Sequence, residues 1–158
     1  MNVTVDIAND CPNHWVPEAA DMEFWINSAC EAIDPVIEHG NVSVRIVSEQ
    51  DSATLNKHYR DRDYPTNVLS FTCELPASTA AVLEVSLLGD IAICASVVEI
   101  EARQQGKNLD AHWAHLLTHG FLHLNGYNHD DETSADKMET VEIAILSKLG
   151  FPNPYLTN

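Results

Sequence analysis

Five of the chain's eight histidines fall between positions 112 and 129, at 112, 115, 119, 123 and 129. On a helix that turns about 100° per residue, His119 and His123 stand one turn apart on one face, where two imidazoles can reach the same metal ion. Gly126 predicts a left-handed helix end that folds the chain back and brings His129 to that ion. Three neutral imidazoles with an open fourth position describe a catalytic zinc site, because structural zinc usually takes four protein ligands. An isolated H-x-x-x-H would read as two histidines on a solvated face. The third histidine, the glycine and the apolar Phe121, Leu122 and Leu124 that anchor the helix favour the metal. His112 and His115 lie near the same arc and are expected on the helix surface or behind the ligands.

A zinc protease carries H-E-x-x-H, with the glutamate as general base. That position is Gly120 here. Water would have to be deprotonated by the metal, which can lower the pKa of bound water to about 7, or by some other group.

Residues 115–130, HLLTHGFLHLNGYNHD, closely resemble H-G-x-L-H-L-x-G-Y-D-H, the signature of the YbeY family of bacterial rRNA-maturation endoribonucleases. Residues 56–60, NKHYR, followed by Asp63 and by PTNVLSF at 65–71, resemble the family's N-x-x-x-R and T-D-V-L-S-F segments. LGDIAI at 88–93 is similar to its L-G-D-I-x-I strand. The matches run in family order from about residue 42 to 150. The resemblance implies a single α/β domain, one zinc ion on His119, His123 and His129, and cleavage of single-stranded RNA. It also implies work on 16S rRNA 3′ ends and in ribosome quality control.

The family's functional arginine carries over to Arg60, which with His119 makes up the catalytic candidates. A guanidinium can hold two phosphate oxygens and face the charge that builds on a phosphoryl group. The plainer alternative pairs Arg60 with Asp61 or Asp63 on the surface. Two positions depart from the family pattern: Asn67 and Asn128 stand where it mostly has Asp. Both substitutions leave the three ligands intact but remove carboxylates that could orient a ligand ring. Asp130 or Asp131 could take that role, or simply open the last helix.

These residues must be positioned by regular elements, and the hydrophobic pattern supplies them. Val3, Val5 and Ile7 alternate with polar residues, as do Val42, Val44 and Ile46, so each run predicts a half-buried strand. Between them Met22, Trp25, Ile26, Ala29 and Ile33 recur at helical spacing, with Pro17 suited to the first turn and Asp34-Pro35 to the break. Ser48 is expected to cap a helix to about Arg60, and residues 68–71 form a third strand after the Tyr64-Pro65-Thr66 turn. A loop over 75–85 precedes a fourth strand at 87–93, where Gly89 marks a bulge or close approach. Ser96 and Glu99 form a capping box for a helix that Gly106 ends. The histidine helix spans about 110–125, and Thr133 caps the last helix, whose stripe is Met138, Val141, Ile145 and Leu149. The expected fold is α/β (α+β): one domain over 1–158, a mixed sheet of about four strands, about five helices, and the metal site at a helix end.

The bulk composition bounds these readings. Hydrophobic residues at 45% and charged ones at 20% describe a globular protein rather than a disordered one. No segment approaches the roughly 20 apolar residues of a membrane span, and MNVTVDIAND lacks a secretory pattern, so the expected compartment is the cytoplasm. Cys11, Cys30, Cys73 and Cys94 form no C-x-x-C pair and are expected as buried, reduced thiols. With 8 Lys plus Arg against 24 Asp plus Glu, the formal charge is -16, which repels free polyanions. The expected partners are therefore single-stranded rRNA together with the small ribosomal subunit or a basic ribosomal protein. The same charge suits a rival, a non-catalytic ribosome-assembly factor with a structural zinc. A zinc hydrolase of another substrate class is a third reading, weakened by the missing protease glutamate.

Overall fold

The computed structural model describes residues 2–33, 37–73, 75–80, 82–83 and 85–156. The Asp34-Pro35 helix break expected from the sequence falls outside the described residues. The chain forms β1 (Val3–Asn9), α1 (Ala19–Glu31), β2 (Gly40–Val47), α2 (Glu49–Arg60) and β3 (Val68–Thr72). There follow the four-residue α3 (Ala77–Ala80), β4 (Ser86–Cys94), α4 (Ala95–Gln105), α5 (Leu109–Leu124) and α6 (Glu132–Lys148). The four strands make one mixed sheet in the order β1-β2-β4-β3. β1, β2 and β4 run parallel, and β3 closes the edge antiparallel to β4. The expected α/β class, four strands and five longer helices are all present.

The alternating strands bury the side chains their pattern assigns inward: Val3, Val5, Val42, Val44 and Ile46 are in the core. α5 lies against the sheet and also packs on α1, α4 and α6, so Trp113, Leu117, Phe121 and Leu122 are all fully enclosed. Burying such side chains stabilises the fold by roughly 1.5–3 kcal/mol each, which fixes the helix that carries the histidines. Close approach of α5 depends on Gly120. A Cβ there would meet Ser70 Oγ at 3.0 Å and Ile91 Cγ2 at 3.2 Å, and Ser70 Oγ donates to the Gly120 carbonyl at 2.9 Å. Gly89 marks the close approach its place in the strand predicts: its φ is +141°, and a Cβ would lie 2.1 Å from the Phe71 carbonyl oxygen.

Helix starts differ from expectation in three places. Pro17 precedes the N-cap Glu18 rather than entering the first turn of α1. α4 begins directly off β4, with Cys94 at the cap position, so Ser96 already lies inside the helix and forms no capping box. α6 is capped by Asp131, whose carboxylate accepts from Ser134 N at 2.7 Å, not by Thr133. Ser48 caps α2 as expected, accepting from Asp51 N at 3.1 Å. The segment expected as a loop over 75–85 contains the short α3. The thiols are free, but only Cys30 and Cys94 are buried; Cys11 is half-buried and Cys73 exposed. No helix among the described residues is long and apolar enough to cross a membrane.

Candidate metal centre

The C-terminal turn of α5 supplies His119 and His123 one turn apart. Beyond it Asn125 ends the helix and Gly126 takes φ +90°, while Gly126 N donates to the His123 carbonyl at 3.2 Å and Tyr127 N to the Leu122 carbonyl at 3.1 Å. This reversal returns His129 to the helix end. The three Nε2 atoms converge, with 3.0 Å between His119 and His123, 3.1 Å between His123 and His129, and 3.4 Å between His119 and His129.

The outer nitrogens fix what those inner ones can do. His119 Nδ1 lies 2.5 Å from Glu142 Oε1, and His123 Nδ1 lies 3.0 Å from the Tyr127 carbonyl oxygen. Both partners only accept, so both Nδ1 atoms carry the proton and both Nε2 atoms present lone pairs. Lone pairs facing one another at such distances repel unless a cation lies between them. Burial, then the neighbouring His119 and His129, hold the His123 imidazole down to about 4, in its neutral, ligating form. A tetrahedral ion with bonds of about 2.0–2.1 Å separates its ligand nitrogens by roughly 3.3 Å, which the observed spacings match. The donor set therefore fits a zinc ion.

Glu142, which the sequence reading did not single out, is the carboxylate behind the cluster. It projects from α6 and is fully buried. Its Oε2 accepts from His115 Nε2 at 3.1 Å and from the Tyr155 hydroxyl. Burial raises its pKa, but the hydrogen bonds from His115, His119 and Tyr155 outweigh that and hold the carboxyl down at about 2. The His115 pKa is lowered as well, first by burial, which keeps its imidazole neutral beside the charged carboxylate. A signal was present in the sequence: Glu142 stands on the line of Met138, Ile145 and Leu149, where an acidic side chain interrupts the apolar face.

Of the positions considered for that role, Asp130 lines the cleft, and Asn128, Asp131 and Asn67 do other work. Asn128 Oδ1 accepts from Asp130 N at 3.2 Å and shapes the loop, and Asp131 is occupied as the cap of α6. Asn67 holds a separate chain: its Nδ2 donates to Glu101 at 3.0 and 3.3 Å, and Glu101 Oε1 lies 3.0 Å from His112 Nε2. His112 is consequently buried between α4 and α5 rather than on the helix surface.

Arg60, the last residue of α2, lines the same cleft as His115, His119, His123, His129 and Tyr155. Asp61 pairs instead with Lys57 at 2.8 Å, and among the described residues Arg60 forms no ion pair. The cleft is about 580 Å³, within the roughly 300–1,000 Å³ of ligand sites. At position 120 a Cβ would meet Ser70 Oγ at 3.0 Å and Ile91 Cγ2 at 3.2 Å, so the packing of α5 on β3 and β4 leaves little room there for a side chain as long as glutamate.

Residues 7–150 match the family model described as Endoribonuclease YbeY. A relative of that name from Alcanivorax borkumensis is 49% identical over 154 residues, covering 96% of this chain and 86% of its own. Another, from Xylella fastidiosa, is 44% identical and covers 98% and 94%. A protein from Thermotoga maritima whose solution structure is known shares the fold at a TM-score of 0.56 and 22% identity, covering 93% of this chain and 92% of its own. On the family match and the near full-length relatives, the chain belongs to the Endoribonuclease YbeY family.

Proposed function

We propose that this chain, as one domain over residues 1–158, is a zinc-dependent endoribonuclease that cuts single-stranded rRNA in the cytoplasm, in 16S rRNA 3′-end maturation and ribosome quality control. The observation that carries the reading is the convergence of three imidazole Nε2 atoms within 3.4 Å of one another beside a cleft that also holds Arg60. Family membership and the names of its relatives support RNA as the substrate class.

In this reading His119, His123 and His129 hold the ion, and Glu142 and the Tyr127 carbonyl keep two of the rings turned toward it. Bound zinc supplies Lewis acidity toward a phosphoryl oxygen and activation of water near neutral pH. Arg60 receives the negative charge that grows on the phosphoryl oxygens, its fork matching two of them. The acidic chain finds rRNA through a basic ribosomal protein on the small subunit. The deciding assay is cleavage of single-stranded rRNA by the wild type and by His123→Ala. Cleavage confined to the wild type supports the enzyme, whereas equal cleavage, or none by zinc-loaded wild type, favours the non-catalytic assembly factor that the charge of -16 would also suit.

A further inference from the structure

After α6 the chain does not leave the molecule. Gly150, at φ +89°, turns it back, and Phe151 N donates to the Leu146 carbonyl at 2.8 Å while its ring meets Trp25 edge-on at 5.8 Å. Lys107 Nζ donates to the Pro154 carbonyl at 2.9 Å, and Tyr155 N donates to Asn153 Oδ1 at 2.9 Å. These fixings deliver the Tyr155 hydroxyl to Glu142 and set the Tyr155 ring edge-on to His115, with centroids 5.5 Å apart. Tyr155 remains 41% exposed and Leu156 69% exposed, so apolar burial does little to hold the segment's end. What its end gains is a hydrogen bond to a fully buried carboxylate.

Resting on the zinc reading above, we propose that Tyr155 is a positioning residue for the metal centre: its hydroxyl locks Glu142, and Glu142 in turn locks the His119 ring. Oε1 of Glu142 serves His119, and Oε2 is shared by His115 and Tyr155. Without the hydroxyl, Oε2 keeps one donor and the carboxylate can rotate about its last bond. The oxygen facing His119 Nδ1 then moves, and with it the tautomer and direction of the ligating Nε2. The Tyr155 ring also forms part of the cleft wall. Residues 150–155 thus act as a strap over the back of the metal site, from outside the histidine motif.

The test compares zinc-loaded wild type with Tyr155→Phe, which keeps the ring and removes only the hydroxyl. Zinc release to an excess of chelator should rise about tenfold or more, as for loss of other groups that orient a metal ligand, while the metal-free proteins melt alike. The downfield proton resonance of His119 Nδ1–H in the metal-free wild type should broaden or shift in the variant. Unchanged release overturns the proposal, as does faster release that merely follows a lower melting temperature of the metal-free variant. The two levels separate cleanly. A wild type that takes up no zinc contradicts the metal assignment, whereas a wild type that holds zinc beside an equally retentive Tyr155→Phe contradicts only the role of Tyr155.

Discussion

Among the described residues Glu142 is the one carboxylate that joins α6 to the histidine helix, with acceptor contacts to His115, His119 and Tyr155. Replacing it with Gln keeps the shape but removes the charge and one acceptor from a fully buried site. Glu142→Gln is expected to lose about 10- to 100-fold in zinc affinity, measured by chelator competition; an unchanged affinity would mean that the His119 ring is oriented by helix packing alone. Arg60→Ala is expected to lower rRNA cleavage by about 10²- to 10³-fold with zinc content intact, since an exposed ion pair worth roughly 0–1 kcal/mol could not account for such a loss. Arg60→Lys should recover part of it, because the charge remains while the two-pronged geometry does not. The three histidines were legible because they lie within eleven residues on one helix and its turn. Glu142 was not, because its partner is 23 residues away on another helix and only packing brings them together.

Elements set the site through one close contact, α5 against β3 and β4 at Gly120. Gly120→Ala places a methyl 3.0 Å from Ser70 Oγ and 3.2 Å from Ile91 Cγ2, and such overpacking should destabilise by about 1–3 kcal/mol in urea unfolding. Gly120→Glu, which restores the protease spelling H-E-x-x-H, should unfold the protein rather than create a peptidase; a folded, zinc-bound Gly120→Glu variant would show that α5 can lift from the sheet. Strand alternation, the Ser48 cap and the helix ends at Gly106 and Gly126 were readable locally because each depends on neighbours in sequence. Helix starts were less so. A strand running straight into α4 left Ser96 no cap to make, and the stronger acceptor Asp131 displaced Thr133. His112 looked like a surface group until α4 brought Glu101 against it.

At the scale of the whole molecule, a formal charge of -16 must be reconciled with a polyanionic substrate. Lys57, Arg60 and Arg62 are the only basic residues that cluster in sequence, and three phosphate contacts would give a salt slope of only about -2 on single strands. On the proposed function, naked single-stranded rRNA is expected to bind weakly at physiological salt and small ribosomal subunits markedly better, because a basic ribosomal protein would raise the local rRNA concentration at the cleft. Tight binding to naked RNA with no gain on subunits would remove the need for a protein partner. The most direct test of the metal centre is elemental analysis of zinc in the wild type, His119→Ala, His123→Ala and His129→Ala, each purified folded. The wild type should carry about one zinc per chain and each variant far less, because three ligands leave no reserve. A full complement of zinc in all three variants would contradict the assignment.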